Sequence, residues 1–464
     1  MLDAISLSHL LHDNGVGKLA ENEFASNEKV KEEFDGRLRS LISREEESFA
    51  SDYRKLFQKA SAPWITQIIS SHSQVLSIDG WTSGEDAEAS QRLWNAFLRN
   101  GWKSKQSFTI TEALTYGYSY VMVLPSDEPG MPVVEPLSAM NTYAYFEKSW
   151  DIYPAFALQQ IGKRHWVYID SDAVYDIHGD LKNIESVTAS PHDLGFCPVV
   201  RVDEQSCTST HLPVAPFTGA ITTAQALTEA RFHMLHIGRK ATFPRLWATG
   251  LAIDQDENNE QQAGDIFATE SIDAKFGQFQ QADANGIINI VNTVQTQLAI
   301  LTNTPPHMMP VGASIANLSA EALASLEANY LRASERRKAS MGQGFNDVFR
   351  TMAIVSGIEI ADNASVHWDN VQNNSLSQLG DFISKVYPTG IDLEPLYQMI
   401  PGFDKAQADR SAEHAYKYQT ATNAGALIDL DTKRIQNAKE LMALDPTLSG
   451  PDALKLAGYR FDNR

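Results

Sequence analysis

The chain has 464 residues, 43% of them hydrophobic, and a formal net charge of −20. That length holds about two to four domains with a sizeable core, and the apolar content excludes a disordered chain. The acidity argues against a protein that grips DNA, because such proteins gather Lys and Arg against the phosphates. The N-terminal MLDAISLSHLLHDNGVGK has neither a basic start nor a long apolar run, so no signal peptide is expected. No stretch approaches ~18 consecutive apolar residues, so no membrane span is expected either.

KVKEEFDGRLRSLISREEESFASDYRKLF places Phe34, Leu38, Leu41 and Ile42 among charges, which predicts one amphipathic helix. APWITQIISSHSQVLSIDGW then brings Pro63 to a helix start and a turn at Gly80. ASQRLWNAFLRNGW predicts a short helix with Leu93, Trp94, Phe97 and Leu98 on one side. In FTITEALTYGYSYVMVL a helix ends near Gly117, and Tyr118–Leu124 is continuous, aromatic and β-branched, the pattern of a buried strand. Tyr116, Tyr118 and Tyr120 read as core aromatics rather than a base-stacking platform. PVVEPL, RHWVYIDSDAVYDI and CPVVRV extend the β pattern to about residue 202. No long crossover helices separate these strands, so the sheet is expected to be antiparallel. The two cysteines, Cys197 and Cys207, are expected to be free thiols in a reducing compartment.

From Thr222 the chain turns helical, with Ala224, Leu227, Phe232, Leu235 and Ile237 in register and Pro244 as the stop. Residues 250–285 carry Asp254, Asp256, Glu257, Glu260, Asp265, Glu270, Asp273 and Asp283 against the single Lys275. GIINIVNTVQTQLAIL is a second helix. TNTPPHMMPVGASIANLS follows, and then a long charged helix with Ser319 as N-cap and Glu321 in its first turn. From Ser319 to about Ser356 it would span roughly 57 Å at ~1.5 Å per residue. Gly342-Gln343-Gly344 is expected to kink it. After a strand at SVHW, a run of small helices punctuated by Gly402, Gly425 and Gly450 is expected.

The chain contains no G-x-x-x-x-G-K-[ST], H-E-x-x-H, G-x-S-x-G or G-x-G-x-x-G motif. His233 and His236, with Glu229 one turn earlier, form one candidate metal set, and packed or solvated helix histidines are the alternative. Asp254, Asp256 and Glu257 lack the glycine and terminal glutamate of a calcium loop. They read as a solvated acidic loop or a docking face. Arg336-Arg337-Lys338 reads as a solvent-facing run, with nucleic-acid contact as the alternative.

The order of elements carries more information than any one residue. A helix ends in Phe243-Pro244-Arg245, an acidic insertion follows, and a second helix ends in TNTPPHMMPVG before NLSAEAL opens the long helix. This order resembles the portal proteins of tailed bacteriophages, in their SPP1-like branch. EALTYGYSYVMVLP, VYIDSDAVYDI and GFCPVVRV are similar to that family's wing, and VHWDNVQNNSLSQLGDFISKVYPTG to its approach to the crown. The resemblance covers roughly residues 60–420, leaving the first 50 and last 40 without a counterpart. It departs from the family in a short clip with little strand pattern.

The resemblance implies an α+β, predominantly helical portal fold of wing, stem, clip and crown, assembled as a closed ring around a channel. Its expected parts are helices and wing over 1–220, a first stem helix over 221–245, the acidic clip over 246–285 and a second stem helix over 286–303. A channel loop over 304–318, the long helix and return to the wing over 319–375, and a helical crown over 376–464 complete it. The implied assembly has twelve subunits, with thirteen as the alternative, at one capsid vertex of the virion, put together in the host cytoplasm. Double-stranded DNA would pass through it without sequence specificity during packaging and ejection. The implied partners are the large terminase subunit, a head–tail connector, the major capsid protein and scaffold; no cofactor, metal, membrane or enzymatic activity is implied.

Within that frame Thr304, Pro305, Pro306, His307, Met308, Met309, Pro310, Val311 and Gly312 would form the channel loop. Prolines stiffen it, methionines give soft contacts, and glycine permits close approach. Arg231, Arg239 and Lys240 would line the stem and touch phosphates weakly. Asp254, Asp256, Glu257, Glu260 and Asp265 would dock partners at the clip. A net acidic ring would repel the duplex toward its axis, which suits sliding. Two other readings stay open: another phage head structural or adaptor protein, and a metal-dependent hydrolase using His233, His236 and Glu229.

Overall fold

The computed structural model describes residues 2–36, 51–84, 87–128, 130–148, 150–205, 213–242, 246–249, 273, 275–278, 284–305, 308, 320–369, 376–386, 396–397, 400, 405–444 and 456–457. The chain divides into two units, Met1–Trp368 and Asp369–Arg464. Both helix and strand build the first, and among the described residues every strand pairing is antiparallel, as the sequence predicts.

The first unit opens with α1 (Ala4–Ser8), a π-helical turn (His9–Asp13) and α2 (Val16–Phe34). The predicted amphipathic helix does not run on past Phe34. Asp35 caps α2, and Gly36 takes a φ of +69°, where a Cβ would lie 2.9 Å from the Ala62 carbonyl oxygen. Only glycine meets both demands at low cost. Leu38, Leu41 and Ile42 lie outside the described residues, and helix returns as α3 (Ser51–Ala60).

α4 (Trp64–Ser73) leads into β1 (Ile78–Thr82), α5 (Ala87–Arg99), α6 (Trp102–Tyr116) and β2 (Tyr118–Leu124). Gly80, expected in a turn, sits inside β1. Tyr116 is the last residue of α6, which ends at Gly117 as the sequence predicts. β3 (Val133–Leu137) and β9 (Val199–Asp203) flank β2 in one sheet. Between them β4 (Thr142–Tyr145), β5 (Phe156–Gly162), β6 (His165–Ile169), β7 (Ala173–Asp180) and β8 (Asn183–Pro191) form a five-stranded meander in chain order. The N-terminal helices bury Leu7, Leu11, Ala20 and Phe24 against Trp166, Tyr168, Tyr175 and Ile177 of that meander. A second layer, with Tyr118, Tyr120, Phe146, Ile169 and Cys197, fills the space between the two sheets. Cys197 is a free, buried thiol; Cys207 lies outside the described residues.

One polar group in this layer is held in an unusual state. The Tyr118 hydroxyl donates to Glu23 Oε1 at 2.5 Å, while Asn27 Nδ2 donates to the Tyr118 oxygen at 3.0 Å and the Ala139 carbonyl at 2.7 Å. Burial pushes the Glu23 carboxyl up to about 7.

α7 (Ile221–Thr242) and α8 (Ala284–Leu301) lie against each other. Between them β10 (Leu246–Thr249) pairs with β11 (Lys275–Gln278), Leu246 opposite Gln278 and Thr249 opposite Lys275. The insertion therefore has a strand pair that its composition hides.

α9 (Ala320–Ser356) runs 37 residues, about 55 Å. It is unbroken helix through Gly342-Gln343-Gly344, where a kink is expected from the sequence. These glycines serve packing. A Cβ on Gly344 would lie 2.8 Å from Val202 Cα and 3.0 Å from the Arg201 carbonyl oxygen, so the helix backbone rests directly on β9. Gly344→Val is expected to lower stability by about 1–3 kcal/mol through overpacking, read as an earlier urea midpoint. Phe345 and Phe349 carry the largest core from this helix: Phe349 stacks on Trp81 and lies tilted against Phe97, and Phe345 meets Trp102 edge-on. β12 (Ser365–Trp368) closes the unit by pairing with β1.

The second unit contains α10 (Leu376–Val386) and α11 (Lys405–Leu444). The expected run of small helices is, over 405–444, one 40-residue helix with Gly425 inside it. A single interior glycine costs about 1 kcal/mol, which a long alanine-rich helix absorbs.

Candidate functional site

The described part of TNTPPHMM begins as a helix cap. α8 ends at Leu301, and Asn303 takes the left-handed conformation at φ +52°. The Thr304 N–H donates to the Ala299 carbonyl at 2.9 Å and the Asn303 N–H to the Ile300 carbonyl at 3.2 Å. These two bonds, with Asn303 at the left-handed position, form a Schellman cap, and Pro305 follows it as a stop. Thr304 and Pro305 are buried, so they anchor the segment rather than present it; Met308 is 38% exposed. Pro306, His307, Met309, Pro310, Val311 and Gly312 lie outside the described residues.

The anchor reaches α4 and α9 through His72. This side chain is fully buried, its Nε2 3.1 Å from the Thr302 carbonyl oxygen and 3.2 Å from Thr304 Oγ1. Its Nδ1 lies 2.9 Å from an Arg337 guanidinium nitrogen. Guanidinium has only donors, so Nδ1 must accept and Nε2 must carry the proton. Burial, and next the adjacent Arg337 charge, push the His72 pKa down to about 3, which keeps the ring neutral. Thr302 Oγ1 donates to the Leu298 carbonyl at 2.8 Å and lies 3.0 Å from Thr304 Oγ1. Every proton then has one direction: Arg337 to His72, His72 to Thr304 and the Thr302 carbonyl, Thr304 to Thr302, Thr302 to the backbone of α8.

Arg337 is balanced on its other side. Its Nε donates to Glu204 Oε1 at 2.7 Å, with both side chains buried, and its guanidinium sits 5.3 Å from the Phe217 ring centroid. The Tyr330 hydroxyl donates to the Ser71 carbonyl at 2.7 Å, and its ring lies 4.8 Å from that of His72. Sequence reasoning placed Arg337 on a solvent face. The structure corrects this: Arg336 is exposed, Lys338 reaches back to Glu335 at 3.2 Å, and Arg337 turns inward. Helical geometry rotates neighbours by about 100°, so one member of a basic triplet on a half-buried helix must face the core.

The other predicted residues are more scattered. Arg231 is half-buried, its guanidinium 4.9 Å from the Trp64 ring centroid, so it is tied to the body rather than free. Arg239 is exposed, and the Lys240 side chain lies outside the described residues, as do Asp254, Asp256, Glu257, Glu260 and Asp265. Glu229 lies 3.8 Å from His233, while the His236 ring stacks on Phe232. Among the described residues Glu229, His233 and His236 do not bring their ligand atoms together, which removes the basis of the hydrolase reading. Among them, too, no helix is long and apolar enough to cross a membrane.

The network is buried and internally satisfied, and it ties the end of α8 to α4 and α9. Residues 21–421 match the family described as phage portal protein, SPP1 Gp6-like, and the chain belongs to that family. The match begins well before residue 60 and takes in part of α2. The portal protein of Mycobacterium phage D29 is 20% identical over 387 residues, covering 76% of this chain and 79% of that relative. The portal protein of Mycobacterium phage L5 is 20% identical over 356 residues, covering 69% and 71%. Among solved structures, a chain from the virion of a native gene transfer agent particle matches with 13% identity and a TM-score of 0.46, covering 76% of this chain and 94% of that one. A chain from the neck of the empty particle, computed with C6 symmetry, matches with 14% identity and a TM-score of 0.46, covering 75% and 93%.

Proposed function

We propose that this portal protein closes into a ring of twelve copies, thirteen being the alternative, at one vertex of the capsid. Double-stranded DNA enters the head through its channel under the terminase motor and leaves by the same route. In this reading α7 and α8 form the stem, the insertion with β10 and β11 is the clip, and the segment after Thr304 lines the channel. The two-sheet body with α9 is the wing, and the second unit is the crown. The acidic residues Asp254, Asp256, Glu257, Glu260 and Asp265 meet the terminase and the head–tail connector in turn. Scaffold and the major capsid protein surround the wing, and assembly takes place in the host cytoplasm.

The observation that carries this reading is α8. Its 18 residues include no charged side chain, yet Ile288, Ile290, Ile300 and Leu301 are 43–68% exposed. A monomer rarely leaves so uncharged a helix with this much apolar surface uncovered, whereas neighbouring copies in a ring would bury it. The absence of cations on α8 also suits passage of a polyanion, since each neutralised phosphate would add grip.

Electron microscopy of the purified full-length chain, with native mass spectrometry, tests the assembly. Closed rings with a central hole and a mass twelve or thirteen times 51.4 kDa are expected. The paired substitution Ile290→Lys and Ile300→Lys is expected to leave monomers with unchanged circular dichroism. A wild-type chain that stays monomeric even when co-expressed with scaffold and capsid protein would overturn the reading.

A further inference from the structure

The β6–β7 hairpin carries a second set of chemically capable groups, remote in sequence from the His72 junction. His165 and His178 are directly opposed across the two strands, and Asp176 stands one pleat away from His178. Trp166, Tyr168, Tyr175 and Ile177 point into the core, so the intervening His165, Asp176 and His178 share the opposite face. The two imidazole rings stack with centroids 4.5 Å apart and planes 20° apart. Asp176 Oδ1 lies 2.7 Å from His165 Nε2 and 3.5 Å from His178 Nε2. One ligand atom from each of the three residues falls within 4.8 Å of the other two.

The geometry points to a binding site for one divalent transition-metal ion, zinc being the best fit, held by His165 Nε2, His178 Nε2 and Asp176 Oδ1. Bonds of about 2.0–2.2 Å in a tetrahedron place ligand atoms about 3.3 Å apart. The two measured edges bracket that value. The side chains are 32%, 47% and 54% exposed, so the imidazoles can turn out of their near-parallel stack to aim both Nε2 lone pairs at one ion, and open the shorter edge, without disturbing the core. Two imidazoles with one carboxylate select zinc, nickel or copper over magnesium and calcium, which prefer oxygen. Water completes the tetrahedron. The surroundings suit a cation: Arg164, next to His165 in the chain, is engaged by Glu185 at 2.6 Å and Asp180 at 3.6 Å. A bound ion would staple β6 to β7 beside the register shift at Gly179. The plainer alternative is a hydrogen-bonded surface cluster in which Asp176 accepts from His165 and no metal enters.

The test uses the full-length chain without a histidine tag, stripped with chelator and titrated with zinc chloride by calorimetry and with cobalt(II) by visible absorption. Expected are one equivalent of zinc per chain, ligand-field bands of tetrahedral cobalt that zinc abolishes, and a raised melting temperature. His165→Ala, His178→Ala and Asp176→Asn are each expected to weaken binding by more than about tenfold, since losing even an outer partner of a ligand costs about 10–100-fold. Combined Glu229→Gln, His233→Gln and His236→Gln should leave it unchanged. Circular dichroism checks that each variant folds, and replacing these half-exposed groups should not prevent it. Absence of saturable binding to the wild-type chain, or binding that survives in His178→Ala at full affinity, would overturn the assignment.

Discussion

Arg337→Met should destabilise the first unit by about 3–5 kcal/mol, the cost of stranding a buried charge. Glu204 is only 4% exposed, and the substitution leaves it without its cation. It also leaves His72 Nδ1 without a donor and removes the guanidinium from Phe217. Replacing both partners, as Arg337→Met with Glu204→Met, should cost much less than the single change, because no uncompensated charge remains. Arg337→Lys should fall between wild type and Met, since an ammonium cannot span Glu204 and His72 as the planar fork does. Urea midpoints read by tryptophan fluorescence supply the double-mutant cycle. The loop supplies a second readout. In the wild type the Thr304 amide is locked to the Ala299 carbonyl, and His72 holds Thr304 in place. Arg337→Met should raise hydrogen exchange at Thr304 before global unfolding does. Equal stability of Arg337→Met and wild type would mean that the pair does not hold this junction. If the ring reading is right, the same variant should still assemble but package DNA less efficiently, because the base of the channel loop is no longer fixed to α9.

Much of this architecture is written in local patterns. The apolar spacing of α5, α7, α8 and α9 and the continuous run of β2 are visible in windows of a dozen residues, and their order identified the family. The junction is not visible that way. His72, Glu204, Thr302 and Arg337 stand on four different segments, and nothing adjacent to any of them signals its partner. Arg337 was masked by the charges on either side of it. β1 was missed for a related reason: Ile-Asp-Gly-Trp-Thr is a poor strand alone, and its partner β12 lies near the far end of the unit. β10 and β11 are four residues each, too short for alternation to show, and an acidic stretch separates them. The His165–Asp176–His178 set was closer to legible. A turn at Ser171-Asp172 pairs Ile169 with Val174, and counting outward from it puts His165 opposite His178.

Acid should expose a cancellation between two buried groups. The His72 pKa is pushed to about 3 in the fold, whereas an unfolded histidine titrates near 6.5. Between those values the unfolded chain takes up a proton that the native chain refuses. Stability is therefore complete above about pH 6.5 and is lost as pH falls, by up to about 1.4 kcal/mol per pH unit. Glu23 has the opposite sign. Its folded pKa of about 7 exceeds its unfolded value near 4.5, so the native chain keeps a proton that the unfolded chain has released. Its contribution is fully present below about pH 4.5 and is lost as pH rises to about 7. From about pH 4.5 to 6.5 both act, with slopes of similar size and opposite direction. His72→Gln keeps a donor toward Thr304 and an acceptor toward Arg337 but cannot titrate. Its stability relative to wild type should rise on acidification through that window. Glu23→Gln keeps the acceptor for Tyr118, and its relative stability should rise instead as pH increases, by about 2–3 kcal/mol between pH 4.5 and 7. Urea unfolding of the three proteins across this range separates the terms, since every other titrating group is common to all three and drops out of the differences. Parallel pH profiles for wild type and His72→Gln would show that the ring takes up its proton as readily in the fold as in the unfolded chain. Nδ1 could then not accept from Arg337, while Nε2 would still donate toward Thr302 and Thr304.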